Sequence, residues 1–155
     1  MQRMITYQTP VLEEWVDYNG HLRDAFYLLI FSYATDAFMS LAGIDPLRDQ
    51  RSLFTLECHL NYLREVKAGT PVQVHTRVIA HDSKRLQLYH CLKAAGQDNM
   101  LAANEQMLLH VDLQGPHATP FSESTVQCLE HWLEGTRHLP LPAHSGRAIS
   151  LHQKH

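Results

Sequence analysis

The sequence has 155 residues, of which 45% are hydrophobic and 19% are charged, and its formal net charge is −3 with histidine neutral. This length and balance fit one soluble domain, and the small negative charge argues against nucleic acid, since phosphate-binding domains carry an excess of Lys and Arg. No apolar run approaches the roughly 20 residues of a membrane span. We therefore expect no membrane partner. The first four residues also lack the apolar stretch of a secretion signal.

The first elements in chain order are a strand, a turn and a long helix. Ile5–Val16 has strand character, and Pro10 places that strand at a sheet edge or a bulge. Residues 17–20, Asp-Tyr-Asn-Gly, are turn formers. Arg23–Ala42 contains no Gly or Pro and exceeds the length of an ordinary strand, which predicts a helix. Its apolar residues occur nearly all round, as in a buried helix, and Gly43 is a natural C-terminal stop.

Four strands follow the helix, several with alternating apolar residues. The intervening segments 67–70, 81–84 and 96–99 are short and turn-like, and short links require antiparallel neighbours because parallel strands need a long crossover. We therefore predict an antiparallel sheet from strands at Leu53–Val66, Pro71–Ala80, Leu86–Ala94 and Met100–Leu113.

The pattern changes after Gly115. Residues 124–127, Ser-Thr-Val-Gln, resemble a capping box and predict a short helix through about Leu133. Pro140, Pro142 and Gly146 then indicate an irregular tail. One domain over 1–155 is expected, with its core at about 4–114 and the C-terminal helix and tail at about 115–155.

The expected fold class is α+β, with a five-stranded curved antiparallel sheet around one long central helix. Such a protomer leaves long strand edges and one sheet face uncovered, so we expect a homodimer, which could pair further into a dimer of dimers.

Cysteine and histidine patterns indicate no metal and no cofactor. Cys58, Cys91 and Cys128 are odd in number and widely spaced, which fits neither a zinc site nor a disulfide framework. Free thiols of this kind are typical of a reducing cytoplasm, which is the location we expect. The twelve histidines include no HExxH motif, and His152 and His155, which could share a helix face, fall in the expected tail.

The segment 14–27, Glu-Trp-Val-Asp-Tyr-Asn-Gly-His-Leu-Arg-Asp-Ala-Phe-Tyr, resembles the signature of the hotdog-fold 4-hydroxybenzoyl-CoA thioesterase family. In that family a strand ends in an aspartate, followed by a Gly or His turn and the start of the central helix. A closer resemblance is to the betainyl-CoA thioesterases of bacterial carnitine breakdown, through segments 15–27, 61–69, 81–86, 105–112 and 146–149. The resemblance implies a hotdog fold and hydrolysis of a small acyl-CoA, most closely betainyl-CoA to glycine betaine and free CoA.

Asp17 is the candidate for the central chemistry. Thioester hydrolysis needs a carboxylate that attacks the carbonyl or activates a water, and Asp17 stands just before a helix start whose backbone N–H groups could stabilise an oxyanion. The sequence leaves open whether Asp17 is nucleophile, general base or simply a turn residue. Asn19 and His21 could orient the carboxylate or its water, and the expected oxyanion donors are the backbone groups of Arg23, Asp24 and Ala25.

Other side chains are candidates for binding the substrate. A trimethylammonium group is held by aromatic faces and nearby acids, which suggests Trp15, Tyr18, Tyr33, Tyr62 and Glu105, although aromatic residues are also common in cores. The CoA phosphates could be held by Arg64, Lys84 and Arg85, although charged residues on turns are often only solvated.

Two other functions remain open at this point. One is an acyl-CoA or acyl-carrier-protein hydratase or dehydratase on the same fold, and the other is a non-catalytic acyl-CoA-binding module, since fold does not fix function. Release of free thiol distinguishes hydrolysis from both. We expect the active site to lie at a dimer interface, because the pocket beside the helix start is open in one protomer.

Overall fold

The computed structural model describes residues 4–152, so the expected partner of His152 at position 155 lies outside the described residues. Within that range the chain forms two helices and six strands, an α+β arrangement as predicted. They are β1 (Met4–Pro10), α1 (Asp24–Leu41), β2 (Arg51–Tyr62), β3 (Pro71–His81), β4 (Arg85–Ala94), β5 (Met100–Asp112), β6 (His117–Ala118) and α2 (Glu123–Thr136).

The sheet is antiparallel throughout, with strand order β1-β3-β4-β5-β2 and with β6 added against β5. The five predicted strands are all present, and β6 is a two-residue addition that the sequence did not predict. One face of the sheet packs against α1, where Ile30, Phe31, Ala34 and Phe38 are completely buried. Burial of these side chains is the main favourable term for the fold.

β1 is shorter than predicted. It ends at Pro10, which is opposite Pro71 in the ladder with β3. Neither proline has an N–H to donate, so this pair contributes no N–H donor to the ladder. Val11 still donates to the carbonyl of Thr70 at 2.9 Å and accepts from the N–H of Gly69 at 2.8 Å. Glu13–Trp15 then forms a single 3-10 turn.

The prediction that β2 and β3 are neighbours joined by a tight turn at 67–70 is wrong. β2 pairs with β5, at the opposite side of the sheet from β3. The connecting segment 63–70, called the crossover below, passes the start of α1. Its backbone is hydrogen-bonded there to the residues that precede the helix. Leu22 donates to the carbonyl of Val66 at 2.8 Å, and Ala68 donates to that of Gly20 at 3.1 Å. The links β3–β4 and β4–β5 are hairpins, as predicted.

α1 ends as the sequence indicates but is not buried on all sides. Gly43 has φ of +75°, and Ile44 and Gly43 donate to the carbonyls of Met39 and Ser40 at 2.9 and 3.2 Å. This is a Schellman ending, which requires a left-handed residue and so favours glycine. One side of α1 is open to solvent at Leu28, Tyr33 and Leu41.

α2 begins two residues earlier than the predicted box. Ser122 is its N-cap and accepts from the N–H of Thr125 at 3.2 Å, and the helix continues to Thr136. Ser122, and not Ser124, is the N-cap because its hydroxyl accepts a hydrogen bond from the backbone N–H three residues later, as an N-cap requires.

The tail after α2 lies across the outer face of the sheet. Arg77, Tyr89 and Glu105 are directly paired across β3, β4 and β5. Arg77 donates to the carbonyl of Pro140 at 2.9 Å, and Tyr89 to that of Ala143 at 3.0 Å. The tail is therefore bound to the sheet by one transverse row of polar side chains.

Residues 4–152 contain no helix long and apolar enough to cross a bilayer. The same residues hold no group of three or more His, Cys, Asp or Glu side chains suited to a metal ion. All three cysteines are free thiols.

Candidate active site

Asp17 lies in a tight loop whose backbone is closed on itself. Its N–H donates to the carbonyl of His21 and its own carbonyl accepts from Gly20, both at 2.9 Å. Gly20 has φ of +75°, the left-handed conformation that glycine adopts without penalty. The Oδ1 atom of Asp17 accepts from the N–H of Asn19 at 2.9 Å and of His21 at 3.3 Å. Oδ2 has no hydrogen-bond partner among the described residues, so one carboxylate oxygen is fixed and the other is available.

The loop is attached on two sides. Val16 and Leu22 form a bridge, and His21 forms another with Lys67 of the crossover segment. His21 Nδ1 lies 3.4 Å from a carboxylate oxygen of Glu65. The side chain of Asn19 is exposed, and its described contact with Asp17 is made by its backbone. The crossover therefore supports the Asp17 loop.

The start of α1 offers fewer free donors than predicted. The N–H of Arg23 is already bound to the carbonyl of Trp15 at 2.9 Å. The N–H of Ala25 is bound to the Asp24 carboxylate at 2.8 Å. Of the three expected oxyanion donors, the Asp24 N–H alone has no partner within residues 4–152. It lies at the positive end of the α1 dipole, where a developing negative charge is stabilised.

A pocket of about 280 Å³ opens beside this helix start. It lies between the first turn of α1 and the end of β2 with the following crossover. Its lining includes Leu22, Asp24, Tyr27, Tyr62, Arg64 and Glu65.

Two tyrosines in the pocket wall form an edge-to-face pair. The Tyr27 and Tyr62 ring centroids are 5.2 Å apart, and the ring planes are 88° apart. Both hydroxyls donate to backbone carbonyls, Tyr27 to Arg64 at 3.0 Å and Tyr62 to Asp24 at 3.1 Å. Burial and the negative charge of Glu65 raise the pKa of Tyr27 to about 12. Burial and the nearby Asp24 charge also raise the pKa of Tyr62, so both rings remain neutral phenols at ordinary pH.

Tyr62 is thus the one predicted aromatic that the structure places in this pocket. Trp15 is buried to 6% exposure and stacks on Phe26, so it is a core residue. Tyr18 is 93% exposed at the tip of the Asp17 loop. Tyr33 packs against Tyr7, with ring centroids 5.4 Å apart. It lies nine residues after Asp24, about 13 Å along the helix axis. These aromatic residues do not converge in one protomer.

Glu105 also lies away from the pocket. It accepts from the hydroxyl of Ser145 at 2.5 Å and from the N–H of Gly146 at 2.9 Å. Partial burial raises the pKa of this carboxyl, but these bonds and one from Gln87 outweigh burial and lower it overall. Glu105 was predicted to contact substrate; instead it is an outward-facing residue of β5 that binds the tail. Side chains alternate between the two faces along a strand, so Glu105 lies on the opposite face of β5 from its buried neighbours Asn104 and Gln106.

The three expected CoA-binding residues are separated. Arg64 lines the pocket, whereas Lys84 and Arg85 lie at the β3–β4 hairpin. The carboxylate of Asp82 binds the Arg85 guanidinium at 2.6 Å. Hydrogen bonds from the Lys84 backbone and from Arg85 lower the pKa of Asp82 to about 2. β3 spans Pro71–His81, and its hairpin end is about 33 Å from the end near Asp17. Lys84 and Arg85 therefore lie at the opposite end of β3 from the Asp17 loop.

Sequence reasoning did not single out Tyr27 or Glu65. Tyr27 is one of many apolar positions on α1, and its sequence context is that of a core residue. Glu65 was assigned to a strand, although it lies in the crossover. Glu65 is close in the sequence to the candidates Tyr62 and Arg64. That closeness indicates a site residue only once the crossover is known to pass the start of α1.

Comparison with known proteins identifies the family. The sequence profile of the thioesterase-like superfamily matches residues 11–133. The chain belongs to this superfamily. It is accordingly a thioester hydrolase, and the loop, the helix start and the pocket described above all lie within the matched residues.

Two relatives have more specific names. The chain is 56% identical to a betainyl-CoA thioesterase of Pseudomonas aeruginosa over 153 residues, which cover 97% of this chain and 96% of the relative. It is 38% identical over 139 residues to an L-carnitine dehydrogenase/betainyl-CoA thioesterase of Agrobacterium fabrum, covering 87% of this chain and 28% of that longer protein.

Solved structures share the hotdog fold predicted from the sequence. A proposed thioesterase from Pseudomonas putida KT2440 superposes with a TM-score of 0.88 at 56% identity, covering 97% of this chain and 98% of the other. A Staphylococcus aureus protein solved in complex with CoA superposes with a TM-score of 0.87 at 26% identity, again covering 97% and 98%.

Proposed function

We propose that this protein hydrolyses betainyl-CoA to glycine betaine and free CoA. The observation that carries the proposal is the 56% identity to a betainyl-CoA thioesterase over 97% of the chain. The reaction breaks the C–S bond, adds the hydroxyl of water to the acyl carbon and returns a proton to the CoA thiolate. We further propose that this chemistry takes place in a single cytoplasmic hotdog domain with its core at about 4–114, a location in keeping with three free thiols.

Asp17 is the proposed catalytic carboxylate. Its Oδ1 accepts from two backbone N–H groups, which fixes the orientation of the carboxylate and leaves Oδ2 available. Oδ2 either attacks the thioester carbonyl, giving a mixed anhydride that water then cleaves, or removes a proton from the attacking water. In both routes the Asp24 N–H and the α1 dipole stabilise the negative charge that develops on the carbonyl oxygen.

Thiol release from a panel of acyl-CoAs tests this function. The panel contains betainyl-CoA, a short straight-chain acyl-CoA and an aromatic acyl-CoA, each with the wild type and Asp17→Asn. We expect fast release from betainyl-CoA and a loss of at least 100-fold in kcat for Asp17→Asn, with substrate binding retained. Release from another acyl-CoA alone would discard betainyl-CoA as substrate. Binding without release would favour a binding module, and a changed acyl group without thiol would favour a hydratase.

We also propose that the working form is a homodimer, alone or paired into a dimer of dimers. β2 is an edge strand that exposes Phe54 and Leu56, an arrangement that soluble proteins usually cover. The separation of Lys84 from Asp17 along β3 favours a site that takes Asp17 from one copy and the β3–β4 hairpin, with Lys84 as its proposed phosphate contact, from the other.

Mixed dimers test this arrangement. Asp17→Asn and Lys84→Ala chains are each expected to be impaired, the second through a raised KM for CoA thioesters. A mixed dimer would contain one site with both native residues, so mixing after denaturation and refolding should restore up to about a quarter of the wild-type activity. A mixture no more active than the two separate variants would assign both residues to the same protomer or exclude Lys84 from the site. Analytical ultracentrifugation gives the assembly size.

A further inference from the structure

The pocket beside α1 combines features that suit a permanently charged, non-hydrogen-bonding cation. Its lining includes the exposed ring of Tyr62, the buried ring of Tyr27 behind it, the acidic residues Asp24 and Glu65, and one cationic residue, Arg64. A trimethylammonium group cannot donate a hydrogen bond. It is held instead by aromatic rings and by negative charge distributed around it.

Each ring has a carboxylate close enough to act on it. The charge of Glu65 contributes to the raised pKa of Tyr27, and the charge of Asp24 contributes to that of Tyr62. Both tyrosine hydroxyls are bound to backbone carbonyls at 3.0 and 3.1 Å. The rings are therefore held in place before any ligand arrives, which lowers the entropic cost of binding.

The size of the acyl group limits where such a subsite can be. In a betainyl thioester a single methylene separates the carbonyl carbon from the nitrogen. The cation must therefore lie immediately beside the group that receives the carbonyl oxygen. Asp24 links these two positions. Its N–H is the available donor for the carbonyl oxygen, and its own carbonyl accepts from the hydroxyl of Tyr62 at 3.1 Å, which places the Tyr62 ring beside it. Tyr33 lies too far along α1 to contact the same small group.

We propose that the exposed ring of Tyr62, held in place by the buried ring of Tyr27, forms the subsite for the trimethylammonium end of the acyl group together with the carboxylates of Asp24 and Glu65. This inference rests on the proposed function and specifies how that site selects its substrate. The subsite predicts that an acyl group with a fixed positive charge is preferred over an uncharged group of the same shape.

The test compares two acyl-CoAs of the same shape. They are betainyl-CoA and 3,3-dimethylbutyryl-CoA, in which carbon replaces the charged nitrogen. The measured quantity is the ratio of kcat/KM for the charged substrate to that for the uncharged one. We expect Tyr62→Leu to lower this ratio at least tenfold, whereas Tyr62→Phe, which keeps the ring, should stay within about threefold of the wild type.

Glu65→Gln provides a second variant, because Glu65 is exposed and its replacement keeps the side-chain shape. We expect it to lower the same ratio at least threefold and to weaken inhibition by the product glycine betaine. Tyr33→Leu removes a tyrosine from the same helix outside the pocket, and the ratio should stay within twofold of the wild type. Circular dichroism checks that each variant is folded.

The outcomes separate this subsite from the proposed function. If the wild type hydrolyses betainyl-CoA but Tyr62→Leu and Glu65→Gln leave the ratio unchanged, the subsite is wrong and the function stands. If Tyr33→Leu alone lowers the ratio, the cation is held elsewhere on α1. If the wild type releases no thiol from betainyl-CoA, the function is wrong and this subsite falls with it.

Discussion

Replacement of Thr35 by valine should destabilise the fold far more than its small change in shape implies. Thr35 lies on the buried side of α1, in the middle of a chain of polar side chains that crosses the core. Phe31 stacks on the central member of that chain, His90, with ring centroids 5.8 Å apart. The chain consists of Thr6, Thr76, His90, Thr35, Gln106 and Asn104.

The direction of every bond in this chain follows from one end. Asn104 donates to the carbonyl of His59 at 3.1 Å, and a carbonyl can only accept. The amide oxygen of Asn104 therefore accepts from Gln106 at 2.8 Å. The single hydroxyl hydrogen of Thr35 goes to the amide oxygen of Gln106 at 2.7 Å, which is closer than the carbonyl of Phe31 at 3.2 Å, and both of these oxygens can only accept. His90 must then donate from Nε2 to Thr35 at 2.8 Å.

Thr35→Val removes the acceptor of His90 and the donor to Gln106 together. His90 is completely buried and Gln106 is 3% exposed, so water cannot replace the lost partners. A buried polar group left unpaired costs about 1–3 kcal/mol, and two such groups cost about 2–6 kcal/mol. That is a large part of the 5–15 kcal/mol that ordinarily separates folded from unfolded states.

Urea unfolding at pH 7, followed by circular dichroism, measures this cost. Thr35→Ser is the matched control, because it keeps the hydroxyl and loses one methyl group, at about 1 kcal/mol. We expect the free energy of unfolding of Thr35→Val to be at least about 2 kcal/mol below that of Thr35→Ser. A valine variant as stable as the serine variant would refute the hydrogen-bonded chain.

Two further predictions concern pH and the active-site loop. Burial lowers the pKa of His90 to about 3 from 6.5, so the unfolded chain binds one more proton between those values. The free energy of unfolding should therefore fall as the pH drops below 6.5. The slope of this free energy against pH should be smaller in His90→Gln than in the wild type by up to about 1.4 kcal/mol per pH unit. Equal slopes in the two proteins would exclude this role for His90. At Gly20 the space is open but φ is +75°, so Gly20→Ala should cost about 1 kcal/mol and lower kcat, while Gly20→Asn should cost less. Equal unfolding midpoints for the two Gly20 variants would contradict this.

Local chemistry made the order of elements and the Asp17 loop predictable from the sequence. The Gly-free run that forms α1, the glycine that ends it and the alternation along β3 and β4 are short-range patterns with direct conformational causes. The segment around Asp17 was recognisable for the same reason, since a turn followed by a helix start is encoded in consecutive residues.

The tertiary structure decided which of these pieces meet. A short link at 67–70 predicted neighbouring strands, but β2 pairs with β5, and this non-local pairing carries the crossover past α1. The crossover brings Tyr62 and Glu65 to Tyr27, although these residues lie far apart in the sequence. Strand pairing also directs Glu105 outward to the tail and separates Lys84 from Asp17. Contacts of this kind depend on long-range packing and sheet register, which short sequence patterns do not contain.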